Sequence, residues 1–239
     1  MPNDWDAGTY DQIADPQTRW GAAVVERLPL SGDERVLDAG CGSGRVTALL
    51  LPRLPRGHVI ALDASPSMVE QARGRLGDSA RIEYLVADLA RPLPLTAAVD
   101  GVLSTATFHW IADHDALFRN LAAVLRPGGW LVAQCGGAGN IDSVRQAVRQ
   151  LDPGLPWNKN FATAEETTRR LNAAGFSQAR AWLQVEPTPL PPGEPLETFL
   201  RVVILREVLE QVPADRRDGF VRDVAARLPN ATLDYVRLN

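Results

Sequence analysis

The run Asp38-Ala39-Gly40-Cys41-Gly42-Ser43-Gly44 places an acid and three alternate glycines after the short apolar segment Arg35-Val36-Leu37. A buried strand ending in such a turn can bring bare backbone against a ligand, because glycine has no side chain to hold the ligand away. The spacing is Gly-x-Gly-x-Gly. It is not the Gly-x-Gly-x-x-Gly of dinucleotide-binding turns, and it lacks the Gly-Lys-Ser/Thr ending of a phosphate loop. A nucleoside without phosphates is therefore favoured over a pyrophosphate. Alone, the motif is also compatible with a plain strand-to-helix turn. Asp63 and Asp88 follow at even intervals, 25 and 50 positions after Asp38, each at the end of its own apolar run. Ligands of open α/β sheets bind at the carboxyl ends of strands. One carboxylate can accept from both hydroxyls of a ribose, and another can accept from the exocyclic amine of adenine. Either aspartate by itself reads as a surface or capping residue; the three together point to an adenosine-bearing ligand.

Other reactive side chains are few. Cys41 sits inside the glycine loop and Cys135 much later, and no Cys/His spacing suits a metal, so no metal is expected. Cys41 at a helix start invites a nucleophile reading, but a small residue serving the turn explains it equally. His109 follows the fourth apolar run. It is either a base or a ring that positions a substrate. Trp110 is either core or a ligand contact. His114 belongs to the start of the next helix, and His58 opens a strand.

The elements that must hold these residues alternate. Strands are predicted at 35–38, 58–63, 82–86, 99–104 and 130–134, with helices between them. Ser65-Pro66 opens one helix as N-cap and first-turn proline. Pro127-Gly128-Gly129 closes another. Alternation of this kind implies a parallel sheet covered on both faces. Further helices are predicted at 142–151 and from Thr163, which forms a capping-box pattern with Glu166. A sixth strand is predicted at 179–185, a stiff connection at the five prolines from Pro187 to Pro195, helices at 196–211 and 214–228, and a seventh strand at 233–238. The boundaries are an N-terminal helical segment (1–30), a core (31–185), a helical lid over the carboxyl edge of the sheet (186–229) and a final strand (230–239), all in one domain.

Four ordered segments carry a resemblance: Val36 to Gly44, Leu62-Asp63-Ala64-Ser65-Pro66-Ser67-Met68, Ala87-Asp88-Leu89 and Leu125-Arg126-Pro127-Gly128-Gly129. Across roughly residues 30 to 140 the chain resembles the class I S-adenosylmethionine-dependent methyltransferases. Asp4-Trp5-Asp6, Tyr10 and the run Phe108 to His114 look most like the branch containing trans-aconitate methyltransferase. The resemblance implies a Rossmann-like doubly wound α/β fold with a seven-stranded, mostly parallel sheet and an antiparallel seventh strand. It implies S-adenosyl-L-methionine as cofactor and S-adenosyl-L-homocysteine as product. Asp38 and the backbone of Gly40, Cys41, Gly42 and Gly44 would hold the methionine portion. Asp63, beside Ala64, would take the ribose, with Met68 near the adenine. Asp88 would meet the adenine amine, with Leu89 against the ring. Ser104 to His109 would line the transfer site. Tyr10 and Trp20 are candidates to close over the bound molecules, with ordinary packing as the alternative.

The chain has 239 residues and a net charge of -4, with no strongly basic domain, so nucleic acid is not the expected substrate. Two cysteines make no disulfide framework, and no apolar run approaches a membrane span. A cytoplasmic monomer or homodimer acting on a small molecule is expected. The leading expectation is O-methylation of a carboxylate. The alternatives are methylation of a hydroxyl, amine or carbon, or a non-catalytic protein that only binds S-adenosylmethionine.

Overall fold

A computed structural model describes the backbone of residues 15–239 and the side chains of residues 19–239. Tyr10 and the rest of the segment before residue 15 lie outside the described residues. In chain order the elements are α1 (Asp15–Val25), β1 (Arg35–Ala39), α2 (Arg45–Leu50), β2 (His58–Asp63), α3 (Pro66–Leu76), β3 (Ile82–Val86) and β4 (Val99–Thr105). A 3-10 turn (Phe108–Trp110), α4 (His114–Val124), β5 (Leu125–Gly136), α5 (Asp142–Leu151), α6 (Ala164–Ala173) and β6 (Leu183–Pro189) follow. The chain then runs through α7 (Glu194–Phe199), α8 (Arg206–Glu210), α9 (Arg217–Ala225) and β7 (Thr232–Leu238). The sheet order is β3-β2-β1-β4-β5-β7-β6. Strands β1 to β5 pair in parallel, and β7 is antiparallel to both β5 and β6. This is the doubly wound, seven-stranded sheet that the alternation and the resemblance predicted.

Alternation along the strands sorts side chains to two faces. Val36, Val59 and Ala61 pack with α1, α2 and α3, whereas Leu37, Ile60 and Leu62 pack with α4 and α6. Both sets are buried, and each large aliphatic side chain contributes roughly 1.5–3 kcal/mol by leaving water. A one-residue slip would exchange the faces, so the register is strongly specified. The caps are the expected ones. Ser65 accepts from the Met68 N–H at the start of α3, and Thr163 with Glu166 completes the capping box of α6.

Three expectations need correction. The sixth strand lies at Leu183–Pro189, not 179–185, and pairs with β7 along its whole length. Its prolines, read as a connection, sit in an edge strand, where a missing N–H costs no ladder bond on the open side. Trp182 and Val185 are 47% and 70% exposed. The fifth strand begins at Leu125 and takes in Pro127-Gly128-Gly129, because the ladder with β4 shifts register between Val99 and Gly101 and absorbs the extra residues. The predicted 196–211 helix is broken: after α7 the chain makes a π-helical turn at Leu200–Ile204, closed by the Leu205 N–H donating to the Leu200 carbonyl at 2.7 Å, before α8 begins. Single π turns within helices recur at functional sites.

Candidate active site

The carboxyl ends of β1, β2 and β4 open onto a cavity of about 560 Å3. Its first end is the glycine loop. Gly40, Gly42 and Gly44 have φ of +85°, +53° and +79°, which accounts for the alternate spacing. A Cβ on Gly40 would also fall inside the Thr107 side chain. The Gly40 and Cys41 N–H groups both donate to the Leu62 carbonyl at 2.8 Å, tying the loop to β2. Asp63 then braces both loops from beneath: Oδ2 accepts from Gly42 N–H and Oδ1 from Ser65 N–H, each at 2.9 Å. Burial raises its pKa, and those N–H donors oppose the rise.

Gly40, Cys41, Gly42, Asp63, Ala64, Met68, Asp88, Leu89, His109 and Trp110 all line the cavity. Asp88 is exposed at its rim and accepts from Ala90 N–H at 2.9 Å. Four predicted residues do not line it. Gly44 caps α2 one step beyond the loop's open face. Ser104 points into the sheet, where Oγ donates to the Ala39 carbonyl at 2.7 Å; the next residue, Thr105, takes the cavity side, as strand alternation requires. Trp20 packs edge-on to Tyr235 at 4.9 Å and lies under the Arg237 guanidinium, so it backs the wall. Asp38 is wholly buried behind the loop, where Oδ2 accepts from Thr47 Oγ1 at 2.6 Å and Oδ1 has no partner.

Burial of Asp38, with Asp63 adding to it and Thr47 opposing it, raises its pKa to about 7. The folded value exceeds the unfolded one, so this group's stabilising contribution is full below the ordinary carboxylate range and is lost as pH rises through 7. Asp38→Asn removes that titration. The melting temperature of the variant, relative to the unaltered protein, should therefore rise between pH 5 and pH 8 in the absence of ligand. A gap that stays constant across that range would contradict the assignment. Burial, with Asp38 and Asp63 adding to it, pushes the Cys41 thiol well above the ordinary range, which disfavours the thiolate a nucleophile needs.

The second end of the cavity is built by segments far apart in sequence. The 3-10 turn at Phe108–Trp110 supplies His109 and Trp110. Asn160 N–H donates to the His109 carbonyl at 2.8 Å, and Asn160 Nδ2 donates to the carbonyls of Ile111 and Ala112. That clamp sets Lys159 and Phe161 on the wall. Lys159 Nζ donates to the Ile204 carbonyl at 3.0 Å and sits 4.6 and 4.7 Å from the Trp110 and Trp157 rings. Burial lowers its pKa to about 8, with Glu207 opposing. Arg206 and Glu207 enter after the π turn, while Tyr235 and Arg237 share one face of β7. The His109 ring stands 5.1 Å from Trp110 and 5.7 Å from Phe161, and Gly136 N–H donates to its Nδ1 at 3.3 Å. Burial, reinforced by Arg237, Lys159 and His114, holds this imidazole neutral.

Sequence reasoning missed Lys159, Arg206, Tyr235, Arg237 and Phe161. One signal was available: Lys159 is the single lysine among 25 basic residues. Among the described residues no cluster of three or more His, Cys, Asp or Glu could hold a metal, and no helix is long and apolar enough to cross a membrane.

A family described as "Methyltransferase domain" matches residues 36–129. A trans-aconitate 2-methyltransferase of Methylobacterium nodulans is 36% identical over 182 residues, covering 75% of this chain and 67% of that protein. A trans-aconitate 2-methyltransferase of Methylobacterium radiotolerans is 30% identical over 230 residues, covering 91% and 86%. The crystal structure of a putative methyltransferase from Bacillus halodurans shares the fold at a TM-score of 0.65 and 16% identity, covering 91% of this chain and 95% of that one. The chain belongs to the class I S-adenosylmethionine-dependent methyltransferases. Within them it falls in the branch of the trans-aconitate 2-methyltransferases. It is a methyltransferase whose cofactor is S-adenosylmethionine.

Proposed function

We propose that this methyltransferase transfers the methyl group to a carboxylate oxygen of a small organic acid. The observation that carries the reading is the charge at the second end of the cavity: Lys159, Arg206 and Arg237 arrive from three separate segments and face the same space as His109. Three cations on one wall suit an anionic acceptor, because a hydrogen bond between ionised groups is roughly twice as strong as one between neutral groups. The relatives are named for trans-aconitate, itself a carboxylate. The chain's own aconitate specificity is a finer part of the same proposal.

At the other end, the backbone of Gly40 to Gly42 receives the methionine portion, with the buried Asp38 behind it as counter-charge for the ammonium. The orphaned Oδ1 of Asp38 and the open space beside Gly42, where a Cβ would meet no protein atom within 4 Å, both fit such a ligand. Asp63 takes the ribose hydroxyls, Met68 and Leu89 flank the adenine, and Asp88 meets its amine from the rim. When bound, the cofactor supplies a methyl carbon already activated by a sulfonium. The chain's task is then alignment and exclusion of water, and alignment alone can lower a barrier by about 7–11 kcal/mol. The helical segment between β6 and β7 acts as the lid: Val203, Ile204, Arg206 and Glu207 line the cavity, and the Ile204 carbonyl accepts from Lys159.

Methyl-labelled S-adenosylmethionine offered with a panel of small acids, phenols and amines tests the reading. Label should pass to an acid and be released by mild alkali, as an ester requires. Transfer confined to phenols or amines, giving alkali-stable products, would overturn it.

A further inference from the structure

We infer that His109 holds the acceptor by donating a hydrogen bond from Nε2, and that it does not take a proton from the acceptor. The inference rests on the carboxylate reading of the acceptor.

The geometry around the ring settles which nitrogen is free. Gly136 N–H donates to Nδ1 at 3.3 Å, and a backbone amide can only donate. Nδ1 is therefore the lone-pair nitrogen. In a neutral imidazole the proton then resides on Nε2, which becomes a donor. The opposite tautomer would set two N–H donors against each other inside a buried pocket. The imidazolium would do the same, and would add a charge near Arg237 and Lys159. The ring is also fixed in place: it is flanked by Trp110 and Phe161, and its residue is clamped at the carbonyl by Asn160. A base at this position would need its lone pair facing the substrate. Here the lone pair is turned to the Gly136 backbone.

The acceptor must therefore arrive already ionised. One carboxylate oxygen accepts from His109 Nε2. The other uses a lone pair to form the new C–O bond while the C–S bond breaks and its electron pair passes to sulfur. No proton moves. An alcohol would need a base, and His109 does not supply one.

Two measurements test this. In kinetics with one acceptor, His109→Ala should lose roughly 10–100-fold in kcat/KM, the range for a hydrogen bond to a charged group. His109→Gln, which keeps an N–H donor at similar reach but cannot act as a base, should recover most of that loss. In 15N spectra of the unaltered protein, with His109 assigned by its disappearance in the variant, Nδ1 should be unprotonated and Nε2 protonated. A glutamine variant as impaired as the alanine variant, or a proton found on Nδ1, would overturn the inference. If the methylated product is an ester and glutamine fails to rescue, the donor role alone is lost. If the product resists alkali yet glutamine rescues, the carboxylate reading is lost and the donor role stands.

Discussion

Asp63→Ala is expected to weaken S-adenosylmethionine binding by ~100-fold or more, because two hydrogen bonds to a charged acceptor each contribute about 1.5–3 kcal/mol. Two effects combine. The carboxylate lines the cavity, and its loss removes the acceptor that the proposed reading assigns to the ribose. It also joins the β1 loop to the β2 loop through Gly42 and Ser65, and both N–H groups lose that partner in the variant. Asp63→Asn separates the two: an amide oxygen can still accept from one backbone N–H, but the charge is gone. Its loss should be intermediate. Calorimetric titration with the cofactor measures both. Unaltered affinity in the alanine variant would remove Asp63 from the cofactor site.

Lys159→Met should raise the acceptor KM by ~30-fold or more while leaving cofactor affinity within a few-fold, since truncating one partner of a buried charge pair costs about 2–5 kcal/mol. Methionine keeps an unbranched side chain of similar length but removes the ammonium that sits beside the Trp110 and Trp157 rings, so the effect isolates the charge. The pH dependence has a definite sign. The free lysine titrates near 8, so its charge, and with it kcat/KM for the acceptor, should fall as pH rises through that value. The methionine variant should lack this limb. A variant whose cofactor affinity collapses together with its acceptor KM would mean that Lys159 supports the fold and not the acceptor.

The glycine-loop end of the cavity was legible because short-range rules build it. Alternate glycines report positive φ, and acids at the ends of apolar runs report strand termini, so Asp38, Asp63 and Asp88 could be placed from spacing alone. Ser104 shows the limit of that reading. The strand end was right to within a residue, but one residue decides the face, and Thr105 has it. Asp38 was matched to the correct loop yet stands behind it, since the tight turn folds over the strand that feeds it. At the other end of the cavity only His109 and Trp110 had a local signature, the segment that follows β4. Residues near 109, 159, 206 and 237 meet only through tertiary packing, and no periodicity in any one segment records that meeting. The lone lysine was a compositional hint, without a place to attach it. The sixth strand was misplaced for a related reason: proline argues against a strand unless the strand lies at an edge, and edges are set by topology.

The central claim is that one cavity holds the cofactor at its glycine loop and a carboxylate acceptor at its cationic wall. A crystal structure with S-adenosylhomocysteine and a small polycarboxylic acid such as trans-aconitate tests it most directly. One acceptor carboxylate should lie between His109 Nε2 and the cofactor sulfur, with the acid's remaining charge paired to Lys159, Arg206 or Arg237. An acid bound outside this cavity, or inside it with no contact to any of those cations, would contradict the account.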